Sequence, residues 1–132
     1  MTPDAASTPP QLPQQPVPAF PALSSNDRLW SVLCHLSYFL GLALISFIFP
    51  LTVYLVMDSD SPYVKHHARE ALNFHLSLLL YAVLCVPLCL LVVGIPLLIA
   101  VAVLGIVCSI VAAIKASDGM YYQYPMTIRF VR

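Results

Sequence analysis

The sequence SPYVKHHAREALNF, residues 61–74, holds two basic residues and the only Glu of the chain. Residues 29–57 before it contain no Asp, Glu, Lys or Arg, and neither do residues 71–114, which begin inside it. About 20 consecutive apolar residues are enough to cross the hydrocarbon core of a bilayer. We therefore predict that residues 61–74 connect membrane-spanning segments.

The composition agrees with a membrane location. The chain has 132 residues, of which 60% are hydrophobic and 9% are charged, whereas soluble domains carry about 25% charged residues. Lipid must replace much of the water-facing surface, so the lipid bilayer is the first expected partner. The formal net charge is zero with six Lys and Arg residues, which leaves no basic surface for nucleic acid.

Residues 1–26 differ from the rest of the chain in composition. They contain seven of the twelve prolines and only one charged residue, Asp4. A proline disfavours helix in the residue before it, and such a composition is typical of disordered or polyproline-II segments. We expect a disordered, proline-rich arm over residues 1–26 and one membrane domain over residues 27–132.

The first transmembrane helix is predicted over residues 29–57. Trp30 and Tyr54 lie near its ends, where aromatic side chains anchor at the membrane interface. Pro50 lacks an amide hydrogen, so we expect a kink there and a carbonyl at Ser46 without its helical partner.

The central residues 61–74 predict an amphipathic helix that leads into the second span. Ser61 and Pro62 suit the first turn of a helix. Its polar residues are expected at the membrane interface, either as anchors or as a docking surface for a partner, and His66 and Glu70 are spaced to pair across one turn. This candidate surface comprises Lys65, His66, His67, Arg69, Glu70 and Asn73, together with Lys115 at the end of the third span.

Residues 71–114 would form a helix about 66 Å long if they were continuous, far more than a bilayer needs. Gly94 and Pro96 mark a turn, because Gly commonly ends a helix and Pro commonly starts one. We therefore predict a second span over residues 71–93 and a third over residues 95–116. The fold class is an all-α integral membrane protein with three transmembrane helices.

A few polar or small residues within the spans are predicted to pack helix against helix. Polar residues inside a membrane usually face the protein, and small residues four apart allow two helices to approach closely. For His35 and Ser37, the alternative is a place on a substrate or proton path. These residues are His35, Ser37, Gly105 and Ser109.

Cys34, His35, Cys85 and Cys89 form the one constellation that could hold a metal ion or a redox pair if the spans are arranged as predicted. Free Cys is commonly a small buried apolar residue, so we expect packing instead. Adjacent residues such as His66 and His67 point about 100° apart on a helix, which does not suit a shared metal. We predict no catalytic, cofactor-binding or metal site and no enzymatic activity.

The distribution of basic residues predicts the orientation. With three spans, all Lys and Arg residues except Arg28 fall on the side of residues 61–74. Basic residues accumulate on the cytoplasmic side of membrane proteins. We expect a bacterial inner-membrane protein with its N-terminus outside and its C-terminus in the cytoplasm. The aromatic residues 120–125 are expected to lie along the membrane surface.

Several short motifs resemble a known family. It is the small prokaryotic membrane-protein family described as domain of unknown function 4870, which is distantly similar to the channel-type subunit of the plastid Tic translocon. The chain departs from the family pattern at His75 and at the acidic residues Asp58 and Asp60. The resemblance implies a membrane fold and no assigned activity. It is carried by His35-Leu-Ser37, Pro50, Ser61-Pro-Tyr-Val64, His67-Ala68, Ala71-Leu-Asn-Phe74, Ile114-Lys-Ala116, Gly119 and Tyr124-Pro-Met-Thr-Ile-Arg129.

The sequence alone thus predicts a multi-pass membrane protein that acts as a non-enzymatic scaffold or accessory subunit and packs against itself or another membrane protein. The alternative is a pore or a transport or protein-translocation component. Three spans are too few for a pathway within one chain, so that alternative requires an oligomer.

Overall fold

The computed structural model describes residues 23–41, 43–57 and 61–132, without the side chains of residues 43 and 44. In these ranges the regular structure is helical, with no strand, which confirms the all-α prediction. Residues 1–22 of the predicted arm lie outside the described residues. The helices are α1 (Ser25–Leu36), α2 (Ala43–Val56), α3 (Pro62–Leu88) and α4 (Gly94–Ser117), with 3-10 turns at Ser37–Leu40 and Cys89–Leu91.

α1 begins at a capping box. The hydroxyl of Ser24 accepts a hydrogen bond from the amide of Asp27 at 3.1 Å, and the Asp27 carboxylate accepts one from the amide of Ser24 at 3.2 Å. The first turn of a helix leaves its amides without helical partners, and these bonds satisfy two such groups.

The prediction of one continuous helix over residues 29–57 is wrong. α1 ends at Leu36, and after the 3-10 turn Gly41 adopts a left-handed conformation with φ of 72°. Glycine takes this conformation without steric cost, so a break can occur inside a fully apolar run. α1 has 12 residues and α2 has 14. Their lengths of about 18 and 21 Å are each shorter than the hydrocarbon core of ~30 Å.

Ser37 and Ser46 join the two halves of this broken segment. The hydroxyl of Ser37 lies 2.7 Å from the carbonyl oxygen of Cys34 and 2.9 Å from that of Ser46. Pro50, inside α2, has no amide hydrogen to offer to Ser46. The 3-10 turn after α1 therefore supplies the hydrogen bond that the proline removes from α2.

α1 and α2 form a hairpin that begins and ends at one end of the bundle. A guanidinium nitrogen of Arg28 donates a hydrogen bond to the carbonyl oxygen of Ser117, at the end of α4, at 3.2 Å. α3 starts at the same place, because the hydroxyl of Tyr63 donates to the carbonyl oxygen of Ala116 at 2.8 Å. We call this end, where α1 and α3 begin and α2 and α4 finish, the polar end. Arg28 lies there, at the end of α4, and not at the opposite end as predicted from the sequence.

The end of α2 also lies against the beginning of α3. The ammonium group of Lys65 is 5.4 Å from the centre of the Tyr54 ring, within the range of a cation–π contact. α2 packs mainly against α3, whereas α1 packs against both α4 and α3. The hairpin thus covers one side of the α3–α4 pair.

Within the part of the chain that the structure describes, α3 and α4 are the two helices that are long and apolar enough to cross a membrane. α3 is longer than the predicted second span, because the amphipathic helix from Pro62 continues into it without a break. At the turn between the two helices a Cβ on Gly94 would lie 2.3 Å from the backbone nitrogen of Cys89. Only glycine permits this approach, which agrees with the turn predicted at residues 93–96.

Residues 120–132, which we call the C-terminal segment, run along α3 toward the middle of the bundle and turn back at Met126, where φ is 57°. Buried side chains gather between this segment, α1 and the first half of α3. The part of the bundle near Gly94 is apolar and exposed, with Leu84 57% and Leu90 89% exposed. A surface of this kind suits a lipid environment.

Candidate functional site

The C-terminal segment covers the polar side of α3 and is held there by side chains of that helix. Asn73 is the main attachment, because its side chain makes three hydrogen bonds of 2.8–3.0 Å to the backbone of Phe130 and Val131. The amide of Ile128 donates to the hydroxyl of Ser77 at 2.9 Å. These side chains satisfy backbone groups of the C-terminal segment, which has no regular structure and would otherwise leave those groups unpaired beside the apolar part of α3.

A buried chain of hydrogen bonds joins α1, α3 and the C-terminal segment. The hydroxyl of Tyr124 is 2.8 Å from Nδ1 of His35, and Nε2 of His35 is 2.8 Å from Nδ1 of His67. Both imidazoles are fully buried, and Tyr124 is 5% exposed. We call Tyr124, His35 and His67 the polar cluster. It brings together residues that are far apart in the sequence.

This chain of bonds couples the protonation of Tyr124, His35 and His67. A contact between two imidazole nitrogens requires a proton on one and a lone pair on the other. Burial raises the pKa of Tyr124 well above its usual value, so the phenol keeps its proton. The hydrogen bonds run from Tyr124 through His35 to His67, or in the reverse direction.

Aromatic rings surround the outer side of His67. The centre of its ring is 4.5 Å from that of Tyr63 and 5.5 Å from that of His66, and the ring stacks on Tyr121 with 6.2 Å between centres. Nε2 of His67 is buried and makes no hydrogen bond of good geometry, although the backbone of Met120 is near. The cluster is thus closed on this side by rings.

Glu70 is buried beneath the C-terminal segment. One carboxylate oxygen accepts a hydrogen bond from the amide of Tyr124 at 3.4 Å, and the other is 3.9 Å from Nε of Arg129. His66 contacts the carbonyl oxygen of Tyr122 at 3.2 Å. The predicted pairing of His66 with Glu70 is replaced by bonds from each residue to the C-terminal segment.

The structure places the predicted polar surface in two environments. Three of its residues are buried and therefore do not form an open docking surface: His67, Glu70 and Asn73. The others, Lys65, His66, Arg69 and Lys115, are partly exposed at the polar end. The C-terminal segment separates the two groups, because it lies over the buried ones.

The four residues predicted to pack helix against helix, His35, Ser37, Gly105 and Ser109, are all buried within this chain. A Cβ on Gly105 would lie 2.3 Å from the hydroxyl oxygen of Tyr38, which follows α1. Ser109 is fully buried close to Tyr124. These small residues accommodate side chains of the same chain, so they are not available to a second copy.

Cys34 does not come together with Cys85 and Cys89. Cys34 packs against Val64 and Ala68, near the beginning of α3, whereas Cys85 is about 25 Å further along that helix. Among the residues that the structure describes, no group of three or more His, Cys, Asp and Glu side chains is arranged to hold a metal.

A groove of about 500 Å³ lies between the 3-10 turn after α1, α3 and α4. His75 lines it, is 5% exposed, and makes no hydrogen bond of good geometry, although the backbone of Ser46 is near. The rest of the lining is mainly apolar, with Leu79 and Val101 among its residues. Small-molecule sites have this size and character, but the groove offers no paired acid and base.

Sequence reasoning missed the role of Tyr124. The aromatic residues before Pro125 were interpreted as a membrane-surface belt, which is wrong for Tyr124, because it is buried, stacked on Phe74 at 3.9 Å between ring centres, and bonded to His35. Tyr121, at 61% exposed, does lie at the surface. The alternation of Tyr122 and Tyr124 with Tyr121 and Gln123 was the available signal, since neighbouring side chains of an extended segment point to opposite sides.

Comparisons with known proteins identify the family. The model of the magnetosome magnetite crystal formation protein family, MamF/MmsF, matches residues 26–131. No curated protein and no solved structure matches the chain. The resemblance to domain of unknown function 4870 and to the Tic translocon subunit is therefore wrong as a family assignment, because the short motifs behind it do not outweigh a match over the whole helical region. The chain belongs to the MamF/MmsF family of magnetosome magnetite crystal formation proteins.

Proposed function

We propose that this protein is a non-enzymatic membrane component of the magnetosome that takes part in magnetite crystal formation. The observation that carries the proposal is the family match over residues 26–131, which covers the four helices except the first residue of α1 and the C-terminal segment except Arg132. The two long apolar helices, α3 and α4, support a location in the membrane.

We further propose that the protein acts through the membrane and through partners, without holding mineral directly. Iron-oxide surfaces and hard cations bind carboxylate and other oxygen ligands. The acidic residues that the structure describes lie at the polar end: Asp27, Glu70 and Asp118. Arg28, bonded to Ser117, and Arg129, beside Glu70, lie at the same end. The opposite end, around Gly94, presents exposed apolar side chains.

The same charge distribution supports an orientation. Basic residues of short loops favour the cytoplasmic side, so the polar end faces the cytoplasm and the turn at Gly94 faces the other compartment. α1 and α2 enter the membrane from the polar end and return to it. The start of α1 and the C-terminal segment are then on the cytoplasmic side, which replaces the orientation expected from three spans.

The pore or translocation alternative loses its main argument. It rested on the distant likeness to a translocon subunit, and the family match points elsewhere. His35, His67 and Ser77 inside the bundle bond to one another or to the C-terminal segment, which favours a packed protein over a conducting one.

Deletion of the gene in a magnetite-forming bacterium tests the proposal. We expect magnetosome membranes to persist while the crystals become smaller or irregular in electron micrographs, and wild-type protein supplied in trans to restore them. Fractionation should recover the protein with magnetosome membranes. An unchanged distribution of crystal size and shape in the deletion strain, or a protein absent from magnetosomes, would overturn the proposal.

A further inference from the structure

We propose that the polar end carries a binding site for one anionic phospholipid, formed between α3 and the C-terminal segment. The phosphate-containing headgroup would bind in an arginine-lined pocket, and an acyl chain would lie on exposed apolar side chains below it. The proposal rests on the membrane location and orientation proposed above and is independent of the role in crystal formation.

The pocket has a volume of about 240 Å³ and opens at the surface of the protein. Three arginines converge on it: Arg69 from α3, and Arg129 and Arg132 from the part of the C-terminal segment after the turn at Met126. Its lining residues are Arg69, Glu70, Gln123, Arg129, Val131 and Arg132.

The charges of this pocket favour an anion. Arg69, Arg129 and Arg132 contribute three positive charges, and Glu70 one negative charge. Even with a carboxylate at Arg132 counted, the pocket keeps a net positive charge. Guanidinium groups bind phosphate oxygens in a bidentate manner. Glu70 forms a long ion pair with Arg129, whose Nε is 3.9 Å from one carboxylate oxygen, while the other oxygen is bonded to the amide of Tyr124. Nη2 of Arg129 donates to Gln123 at 3.0 Å. The ion pair with Glu70 neutralises one of the three arginines.

The depth of the pocket matches that of lipid headgroups. Residues 71–114 carry no Asp, Glu, Lys or Arg, and Arg69 and Glu70 stand immediately before this apolar run. Lys115, the first charged residue after it, ends the same apolar layer on α4. Basic pockets at the cytoplasmic face of membrane helices recognise anionic headgroups.

An apolar surface continues from the pocket into the hydrocarbon layer. Ile128 is 42% exposed and is bonded through its amide to Ser77, which lies about 12 Å beyond Arg69 along α3. Met126, 73% exposed, is bonded through its carbonyl to Tyr81, one further turn along the helix. A free phosphate ion would make no contact with this apolar surface, whereas an acyl chain would cover it.

The test measures lipid binding to the purified full chain in a neutral detergent, by native mass spectrometry. The probes are phosphatidylglycerol, phosphatidylcholine of the same chain length, and sodium phosphate. We expect one phosphatidylglycerol to be retained in preference to phosphatidylcholine, and sodium phosphate at the same concentration not to displace it. Arg129→Gln and Arg132→Gln should each weaken phosphatidylglycerol binding about fivefold.

Matched variants separate a site from general surface charge. Lys115→Gln removes one positive charge at the same end, outside the pocket, and should leave binding unchanged within about twofold. Arg129→Lys keeps the charge but loses the bidentate geometry, so it should retain more affinity than Arg129→Gln and less than the wild type. Equal binding of the two lipids, an equal loss in Lys115→Gln, or displacement by sodium phosphate would each overturn the proposal.

Discussion

The guanidinium of Arg28 donates a hydrogen bond to the carbonyl oxygen of Ser117 at 3.2 Å, which joins the first turn of α1 to the last turn of α4. The last carbonyls of a helix have no helical partner and carry its negative dipole end. A cation is therefore favoured at this position. This contact shows that the start of α1 lies beside the end of α4. The resulting topology can be tested.

Cysteine labelling should place the start of α1 and the start of the C-terminal segment on the same side of the membrane. In a background with the native cysteines replaced by Ala, Asn26→Cys and Met120→Cys should react with an impermeant thiol reagent from the same side of sealed vesicles. Val93→Cys, which is 56% exposed at the turn before α4, should react from the opposite side. Labelling of residues 26 and 93 from one side would contradict the hairpin of α1 and α2.

The glycine at the turn between α3 and α4 should be more sensitive than the glycine in the middle of α4. In Gly94→Ala the new Cβ meets backbone atoms of Cys89, Cys85 and Leu88, which cannot rotate away. We expect a loss of about 1–3 kcal/mol in the free energy of unfolding, measured by thermal denaturation in detergent. Gly105→Ala is the comparison, because its clash is with the side chain of Tyr38. A greater loss for Gly105→Ala would contradict this account.

The bond between His35 and His67 should show strong coupling in a double-mutant cycle. His35→Leu leaves a buried nitrogen of His67 and the hydroxyl of Tyr124 without a partner, which costs about 1–3 kcal/mol for each unsatisfied group. His67→Leu should be similarly destabilising. Replacement of both histidines by Leu should cost less than the sum of the single changes, because His67 is then no longer left unsatisfied. His66→Leu, at a partly exposed position, is the control, and strictly additive losses would contradict the bond.

The hydrogen bonds of Asn73 should hold the C-terminal segment on α3. Asn73→Ala removes all three bonds, so local opening should become more frequent and trypsin should cut at Arg129 faster. Mass spectrometry of the digest over time measures this effect, because the cut removes only residues 130–132. Asn26→Ala makes the same chemical change at an exposed position of α1 and should leave the rate unchanged. Equal rates in the two variants would show that other contacts hold the segment.

The amount of fold that the sequence predicts differs between the two halves of the molecule. α3 and α4 follow from a long run without charge and from the Gly94 and Pro96 pair, because the bilayer thickness limits the length of a span. The first apolar run has the same composition but contains a break at Gly41. Its φ of 72° is a property of the folded backbone, and no pattern of apolar residues encodes it.

The candidate site shows a similar division. Residues 61–74 were recognised from their charges, yet which of them face solvent depends on the C-terminal segment that lies over Glu70 and Asn73. Tyr124 and His35 are 89 positions apart, so helical spacing could not pair them. Only long-range packing brings such residues into contact.

The sequence by itself determined that the chain is strongly apolar and that residues 71–114 are long enough for two spans, α3 and α4, whereas the further span that it predicted over residues 29–57 is broken in the structure. These properties follow from composition and length, which are additive along the chain. The tertiary structure alone decided that the first apolar run folds back, that the histidines meet Tyr124, and that the arginines converge. Each of these depends on contacts between residues distant in the chain, whose geometry exists only once the helices have packed.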